Sequence, residues 1–325
     1  PIPGSGDVLL KTRLCGICGS DLHQFKHAAE IDELVRSMGA PGQDLSKGMV
    51  LGHEYVGEIV AFGPETQQSL KVGDRVVSVP FLMRDGAPVP IGANVEVDGA
   101  YAEYFLGSEA LLLKIPDDVP DAAAALVEPL GIAVHAVAKS FLNGDSHPCV
   151  ILGCGPIGLA IAAVLKIRGV ETIIASDFSP KRRALAQAMG ATQAVHPKEA
   201  SPFSLLAPTA PAIVFDCTGV RGVLSQAIVE APVGSQIVVA GIPQGEDSFN
   251  PMIAIAKELN LQFVLYYAPE EFAEALRAIA DGQLDWRPLV TGTVGLDGIE
   301  EAFAALGDPE THAKIMIDPW SDARL

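Results

Sequence analysis

The chain of 325 residues is short of basic side chains: 22 Lys and Arg stand against 40 Asp and Glu, a net charge of −18. So acidic a balance suits neither a phosphate backbone nor an anionic headgroup layer, and no nucleic acid or membrane partner is expected. Cysteine is scarce too. Five thiols (Cys15, Cys18, Cys149, Cys154, Cys217) in so long a chain make no disulfide framework. An odd number with one close pair points to a reduced, cytoplasmic protein with a metal or a thiol at work. Charged residues make up only 19% and hydrophobic ones 49%, which excludes disorder and leaves material for a sizeable core. Long apolar runs are missing as well. The longest uncharged stretch, Cys149 to Leu165, contains Gly153, Gly155, Pro156 and Gly158, so it reads as strand, turn and helix and not as a membrane span. No targeting segment is evident, and the first residue is Pro1.

The length predicts two domains, and two textures alternate. From Val8 to about Pro116, short alternating segments (Val8 to Leu10, Tyr55 to Val60, Arg75 to Val79) are separated by glycine-rich turns, the pattern of an irregular β-rich domain. Within it Ile31, Leu34, Val35 and Met38 fall at helical spacing, predicting a short helix in a long loop. From Pro148 apolar strands alternate with helices: Val150 to Leu152, Thr172 to Ser176, Ala212 to Phe215, Gln236 to Ala240 and Leu261 to Tyr266. That alternation predicts a doubly wound parallel sheet covered on both faces. An amphipathic helix with Phe272, Leu276 and Ile279 follows, then a β-like tail expected to rejoin the first domain.

Gly153-Cys154-Gly155-Pro156-Ile157-Gly158 follows a buried strand and opens a helix. In such a loop the first glycine makes the turn, the second admits a pyrophosphate, and the third lets helix pack on strand. Alone it could be a tight turn. Asp177, at the end of the second strand, supplies the acid expected about 20 residues on to bind ribose hydroxyls. A carboxylate there repels a 2′-phosphate and favours NAD over NADP; Arg182 and Arg183 lie close by, and Arg182 is counted with the cofactor site.

Cys15 to His23 packs two thiols, a hydroxyl, a carboxylate and an imidazole into nine residues; Gly52-His53-Glu54 and Glu128 follow. A catalytic zinc wants a few N, S and O ligands and one open position. Each residue also has a blander reading: Cys15 and Cys18 as a redox pair, His53 as a core histidine, Glu128 as a helix-terminal charge. Together, Cys-Gly-Ser-Asp-Leu-His (Cys18 to His23), Gly-His-Glu (Gly52 to Glu54), Gly-Asp-Arg-Val (Gly73 to Val76), Glu-Pro-Leu (Glu128 to Leu130) and the glycine loop resemble the zinc-dependent medium-chain alcohol and polyol dehydrogenases over essentially the whole chain.

The resemblance implies an α/β protein in two parts. A GroES-like β-rich catalytic domain would comprise residues 1–129 and 267–325, and a Rossmann domain would be inserted at 130–266. It implies Cys18 and His53 as zinc ligands, completed by Glu54 or Glu128, with Asp21 orienting the His53 imidazole and Ser20 and His23 relaying a proton. Two glutamates stay open because successive strand residues face opposite ways. The family's structural zinc needs four clustered cysteines in the lobe Phe81 to Gly99, which has none; one catalytic zinc and no structural zinc is expected. The implied activity is hydride transfer between a small-molecule secondary alcohol, diol or polyol and NAD, in a homo-oligomer, dimer or tetramer. A zinc-free quinone or enone reductase would lack the Cys18/His53 pair, and a cofactor-binding protein without turnover would not need the relay residues.

Overall fold

The computed structural model describes residues 1–142, 147–207, 210–243 and 245–325. The chain forms two compact units: Pro1–Glu128 with Val290–Asp308 and Lys314–Leu325, and Pro129–Leu289 with Pro309–Ala313.

The first unit is built on a sheet whose strands run in the order Val290–Val294, Lys314–Ile317, Asp7–Gly16, Glu54–Phe62, Arg75–Ser78, Leu112–Lys114, with Tyr104–Ser108 also pairing to Asp7–Gly16. Alternating apolar residues bury one face around Val8, Leu10, Ile59, Val76 and Phe105. Strand register decides where the chemistry falls. At the carboxyl end of Asp7–Gly16, Gly16 lies opposite Glu54 on one side and Met316 on the other. The segments carrying Cys18, His53, Glu54 and Lys314 therefore leave the sheet side by side, although three hundred residues of chain separate the first from the last.

The second unit holds a six-stranded, all-parallel sheet in the order Gln193–Val195, Ile173–Ser176, Cys149–Leu152, Ile213–Asp216, Gln236–Val239, Asn260–Phe263. The four central strands are buried along their whole length, which is why they read as continuous apolar runs. Strand order reverses between Cys149–Leu152 and Ile213–Asp216, the point at which doubly wound sheets take their ligands.

Two expectations need correction. The chain was expected back in the first domain at 267, but 267–289 stays with the nucleotide-type unit and the return comes at Val290. Helix Pro269–Ala280 buries Phe272, Ala275, Leu276, Ala278 and Ile279 there. Tyr267 stacks on Phe272, and Glu271 binds His135 Nδ1 at 2.8 Å on helix Val127–Ala138. The other correction concerns the expected short helix near Ile31. A helix runs from Gly19 to Ser37, longer than expected and kinked at His27; of its apolar positions Leu34 and Met38 are exposed and Ile31 and Val35 half-buried, while Asp32 is buried. Asp32 earns that position by accepting from Arg36 Nε at 2.7 Å and the Gln43 amide at 2.8 Å, so local hydrogen bonding overrode the periodicity. The stretch Asp121–Ala138 is long and apolar enough to cross a membrane by composition alone, but most of it is buried within the protein.

Candidate metal centre and nucleotide loop

Among the described residues one group of donors fits a metal ion: a ligand atom each from Cys18, His53 and Glu54, all within 4.8 Å of one another. Cys18 precedes helix Gly19–Ser37, and its amide donates to Asp21 Oδ2 at 2.9 Å. His53 and Glu54 were expected to face opposite ways as strand neighbours. They converge because the strand starts only at Glu54 and Gly52 before it takes φ +102°, a left-handed conformation that turns the chain at His53.

The imidazole is oriented from behind. His53 Nδ1 lies 3.3 Å from Asp21 Oδ1, leaving Nε2 toward the donor group and 3.4 Å from Ser20 Oγ. Burial alone would lower the pKa of His53, but Asp21 and Cys18 outweigh it and raise it well above the ordinary histidine range. The field that stabilises a proton on that ring stabilises a metal cation equally. Burial pushes Asp21 upward, yet His53 and the hydrogen bonds from Cys18 and Tyr101 bring it below the usual carboxylate range. Asp21 is thus an anion held behind a histidine, the arrangement that fixes a metal-binding tautomer. A thiol, a pre-oriented imidazole and a carboxylate are zinc's preferred donors.

Glu54 has a companion absent from the sequence reading. Lys314 is buried and donates to both Glu54 oxygens, at 2.7 and 2.6 Å, and to the Ile17 carbonyl at 2.9 Å. A lysine in a C-terminal strand carried no local signal; only the register of Lys314–Ile317 against Asp7–Gly16 brings it here. Since a carboxylate offers about four lone-pair sites, the ion pair leaves Glu54 able to ligate. Glu128 is buried at the start of helix Val127–Ala138 and close enough to reinforce the charge on Lys314, but it is outside the three-residue group. Cys15 is fully buried in the core and burial pushes its thiol up, which disfavours the thiolate a redox pair with Cys18 would need. His23 lies one helical turn beyond Ser20 and 5.2 Å from the His27 ring; burial and His27 lower its pKa.

In the second unit the loop Gly153 to Gly158 has the geometry its glycines announced. A β-carbon on Gly158 would sit 2.0 Å from the Gly153 carbonyl oxygen, whereas one on Gly155 would meet nothing within 4 Å. The first is a helix pressed on a strand, the second an open approach for a ligand. Pro156 begins helix Pro156–Ile167, with Ile157 behind it in the first turn. Asp177 accepts from the Cys154 amide at 2.8 Å through Oδ2 and from the Ser179 amide at 2.8 Å through Oδ1, which holds its carboxylate against the loop. Arg183 donates to the Asp177 and Phe178 carbonyls. Arg182 keeps its Nε buried without a partner and acts electrostatically on Cys154, so it lies beside the loop.

A GroES-like unit with a metal-type donor set, followed by a doubly wound nucleotide unit, defines a metal-dependent dehydrogenase. Residues 4–117 match the model of the alcohol dehydrogenase GroES-like domain, and residues 156–281 that of the zinc-binding dehydrogenase. The chain is 32% identical to the (R,R)-butanediol dehydrogenase of Bacillus subtilis over 97% of its own length and 93% of that protein's. It is 31% identical to the L-threonine 3-dehydrogenase of Burkholderia mallei, covering 99% and 94%. The crystal structure of the B. subtilis 2R,3R-butanediol dehydrogenase superposes with a TM-score of 0.82, at 31% identity, over 98% of this chain and 94% of that one. A zinc-binding dehydrogenase of Sinorhizobium meliloti solved with NADP also gives 0.82, at 25% identity and 98% and 94% coverage. The chain belongs to the zinc-dependent medium-chain alcohol and polyol dehydrogenase family: it is an oxidoreductase that uses zinc and a nicotinamide dinucleotide on small-molecule alcohols.

Proposed function

We propose that the protein oxidises a secondary alcohol, vicinal diol or polyol with NAD, with one catalytic zinc held by Cys18, His53 and a glutamate. The observation that carries this is the convergence of Cys18, His53 and Glu54 on one point; it favours Glu54 as the third ligand, with Glu128 left to a supporting role. The names of the relatives, butanediol, sorbitol and threonine dehydrogenases, point to substrates with a second polar group beside the carbinol. Zinc, when bound, supplies Lewis acidity to the alcohol oxygen. The chain's own residues do the rest. Asp21 fixes the His53 tautomer, while Ser20 stands where it can take the hydroxyl proton and His23, one turn on, can pass it to water. Asp177 binds ribose hydroxyls, and the open face at Gly155 admits the pyrophosphate to the amides of the helix N-terminus. Hydride transfer itself is cofactor chemistry.

The test is a panel of butanediols, sorbitol, xylitol, threonine and cyclic alcohols, followed by NADH absorbance. NAD is expected to give a far higher kcat/KM than NADP, and Asp177→Ala to narrow the gap. Equal values for the two cofactors in the wild type would refute the role of Asp177. A second panel concerns the relay. Burial and His27 lower the pKa of His23, which favours the neutral ring that can accept a proton. His23→Ala is therefore expected to slow turnover most at low pH, where hydroxide cannot substitute, with partial rescue by imidazole buffers and unchanged zinc content. Loss of metal in that variant would make His23 a ligand instead.

We also infer a homo-oligomer, a dimer or tetramer. Among the described residues strand Asn260–Phe263 ends the parallel sheet, and Phe263 within it and Leu265 just beyond it are each more than 60% exposed. An apolar patch against a strand edge suits a second copy of the same edge. Light scattering should return a multiple of 34.0 kDa, and Leu265→Glu should lower it; a monomeric wild type would exclude the reading. Five unpaired thiols support a reducing compartment, and we assign the protein to the cytoplasm on that basis.

A further inference from the structure

Tyr101 stands outside every motif of the sequence, yet its side chain reaches the candidate metal centre. Its hydroxyl donates to Asp21 Oδ2 at 2.7 Å. Asp21 is 2% exposed and shared between Cys18 and His53: Oδ2 also accepts the Cys18 amide, and Oδ1 faces His53 Nδ1. Tyr101 is thus a third segment's hold on the carboxylate that connects them. Its placement is firm. A short ladder, Gly99 N to Val50 O (2.8 Å), Ala100 N to Gly52 O (2.9 Å) and Tyr101 N to Leu51 O (3.0 Å), binds its backbone to the segment that leads into His53. Its ring fills the space where a β-carbon on Gly52 would lie, 2.5 Å from Cδ1, and meets the Phe303 ring edge-on with centroids 6.3 Å apart. The glycine of Gly-His-Glu is therefore required partly by this tyrosine.

We propose that Tyr101 is a positioning residue of the metal centre, its hydroxyl holding the Asp21 carboxylate in the orientation that aims His53 and Cys18 at one zinc ion. The inference rests on the zinc reading above. A carboxylate's terminal torsion is broad, so the direction of Asp21 is set by what donates to it. Removing one donor leaves a buried oxygen under-bonded and frees the group to turn, and the imidazole turns with it. Outer partners of this kind govern metal affinity by about 10–100-fold.

The experiment compares wild type, Tyr101→Phe, Asp21→Asn and the double variant, each loaded with zinc. Release of zinc to a chromophoric chelator is timed, and Tm is measured with and without metal. Phenylalanine keeps the ring against Gly52 and Phe303 and removes only the hydroxyl. Tyr101→Phe is expected to release zinc about 10–100-fold faster, with a smaller rise in Tm on zinc binding and little change in the metal-free Tm. In the Asp21→Asn background the same change should add less than about threefold, because the two act as one unit. Release at the wild-type rate, or equal losses of Tm with and without metal, overturns the proposal. A wild type that takes up no zinc overturns it together with the reading it rests on, and the wild type's own zinc content tells the two failures apart.

Discussion

Cys18→Ser should yield a folded protein that binds NAD, holds no zinc and loses about 10³-fold or more in kcat/KM. A Lewis acid contributes several kcal/mol to stabilising developing charge, and each 1.36 kcal/mol is a decade of rate. Serine is a poor zinc donor, so His53 and Glu54 alone should not retain the ion. The thiol also raises the pKa of His53 and of Lys314, but the links that hold the fold lie elsewhere. The link from Cys18 to Asp21 uses the backbone amide, and the glycine loop belongs to the other unit. Elemental analysis should find one zinc per wild-type chain and none in the variant. The lobe 81–99 is closed by a hairpin of Phe81–Arg84 with Ala87–Pro90 and holds neither cysteine nor histidine, so removing metal should not unfold the protein. Two zinc ions per wild-type chain, collapse on chelation, or a Cys18→Ser enzyme within tenfold of wild type would sink this account.

The largest effect on stability should come from Lys314→Met. Lys314 and Glu54 are 2% and 0% exposed at their side chains, and the lysine spends its donors on Glu54 and the Ile17 carbonyl. Breaking a buried pair from one side leaves an uncompensated charge, at a cost of about 3–5 kcal/mol, which lowers Tm by on the order of 10 °C. Adding Glu54→Gln should recover most of the loss, since the second change removes the stranded charge. Burial alone would lower the pKa of Lys314, but Glu54, with Cys18 and Glu128 behind it, raises it. A raised lysine pKa means the pair's contribution is complete below the unfolded value of about 10.4 and lost only above it. The Tm gap should therefore stay constant between about pH 6 and pH 9. A Lys314→Met protein as stable as wild type, or a gap that opens only in acid, would show that the pair is not what holds the two segments together.

Some of this protein could be read from its chain alone, because the relevant interactions are local. The turn, open approach and helix packing of Gly153, Gly155 and Gly158 are demands on single backbone positions, and the three positions meet them. Ser179 caps the next helix by accepting from the Arg182 amide at 3.0 Å, a bond confined to four successive residues. Continuous apolar runs declared buried parallel strands because both faces of such strands are covered. Cys18, Asp21, His53 and Glu54 pointed to metal chemistry only through the family their motifs resemble, and the choice between Glu54 and Glu128 stayed open. Tertiary structure alone decided the rest. Whether His53 and Glu54 could face one point depended on a left-handed turn at Gly52, a position the Tyr101 ring leaves no room for a side chain. The partner of Glu54 came from a strand 260 residues away, fixed by sheet register and invisible to any window of sequence. The spacing of Ile31, Leu34, Val35 and Met38 marked a helix but not its buried side: Leu34 and Met38 are exposed, and Asp32 goes inward to accept from Arg36 and Gln43. Interactions confined to a turn are written in adjacent residues; those that cross the sheet exist only once the strands have paired.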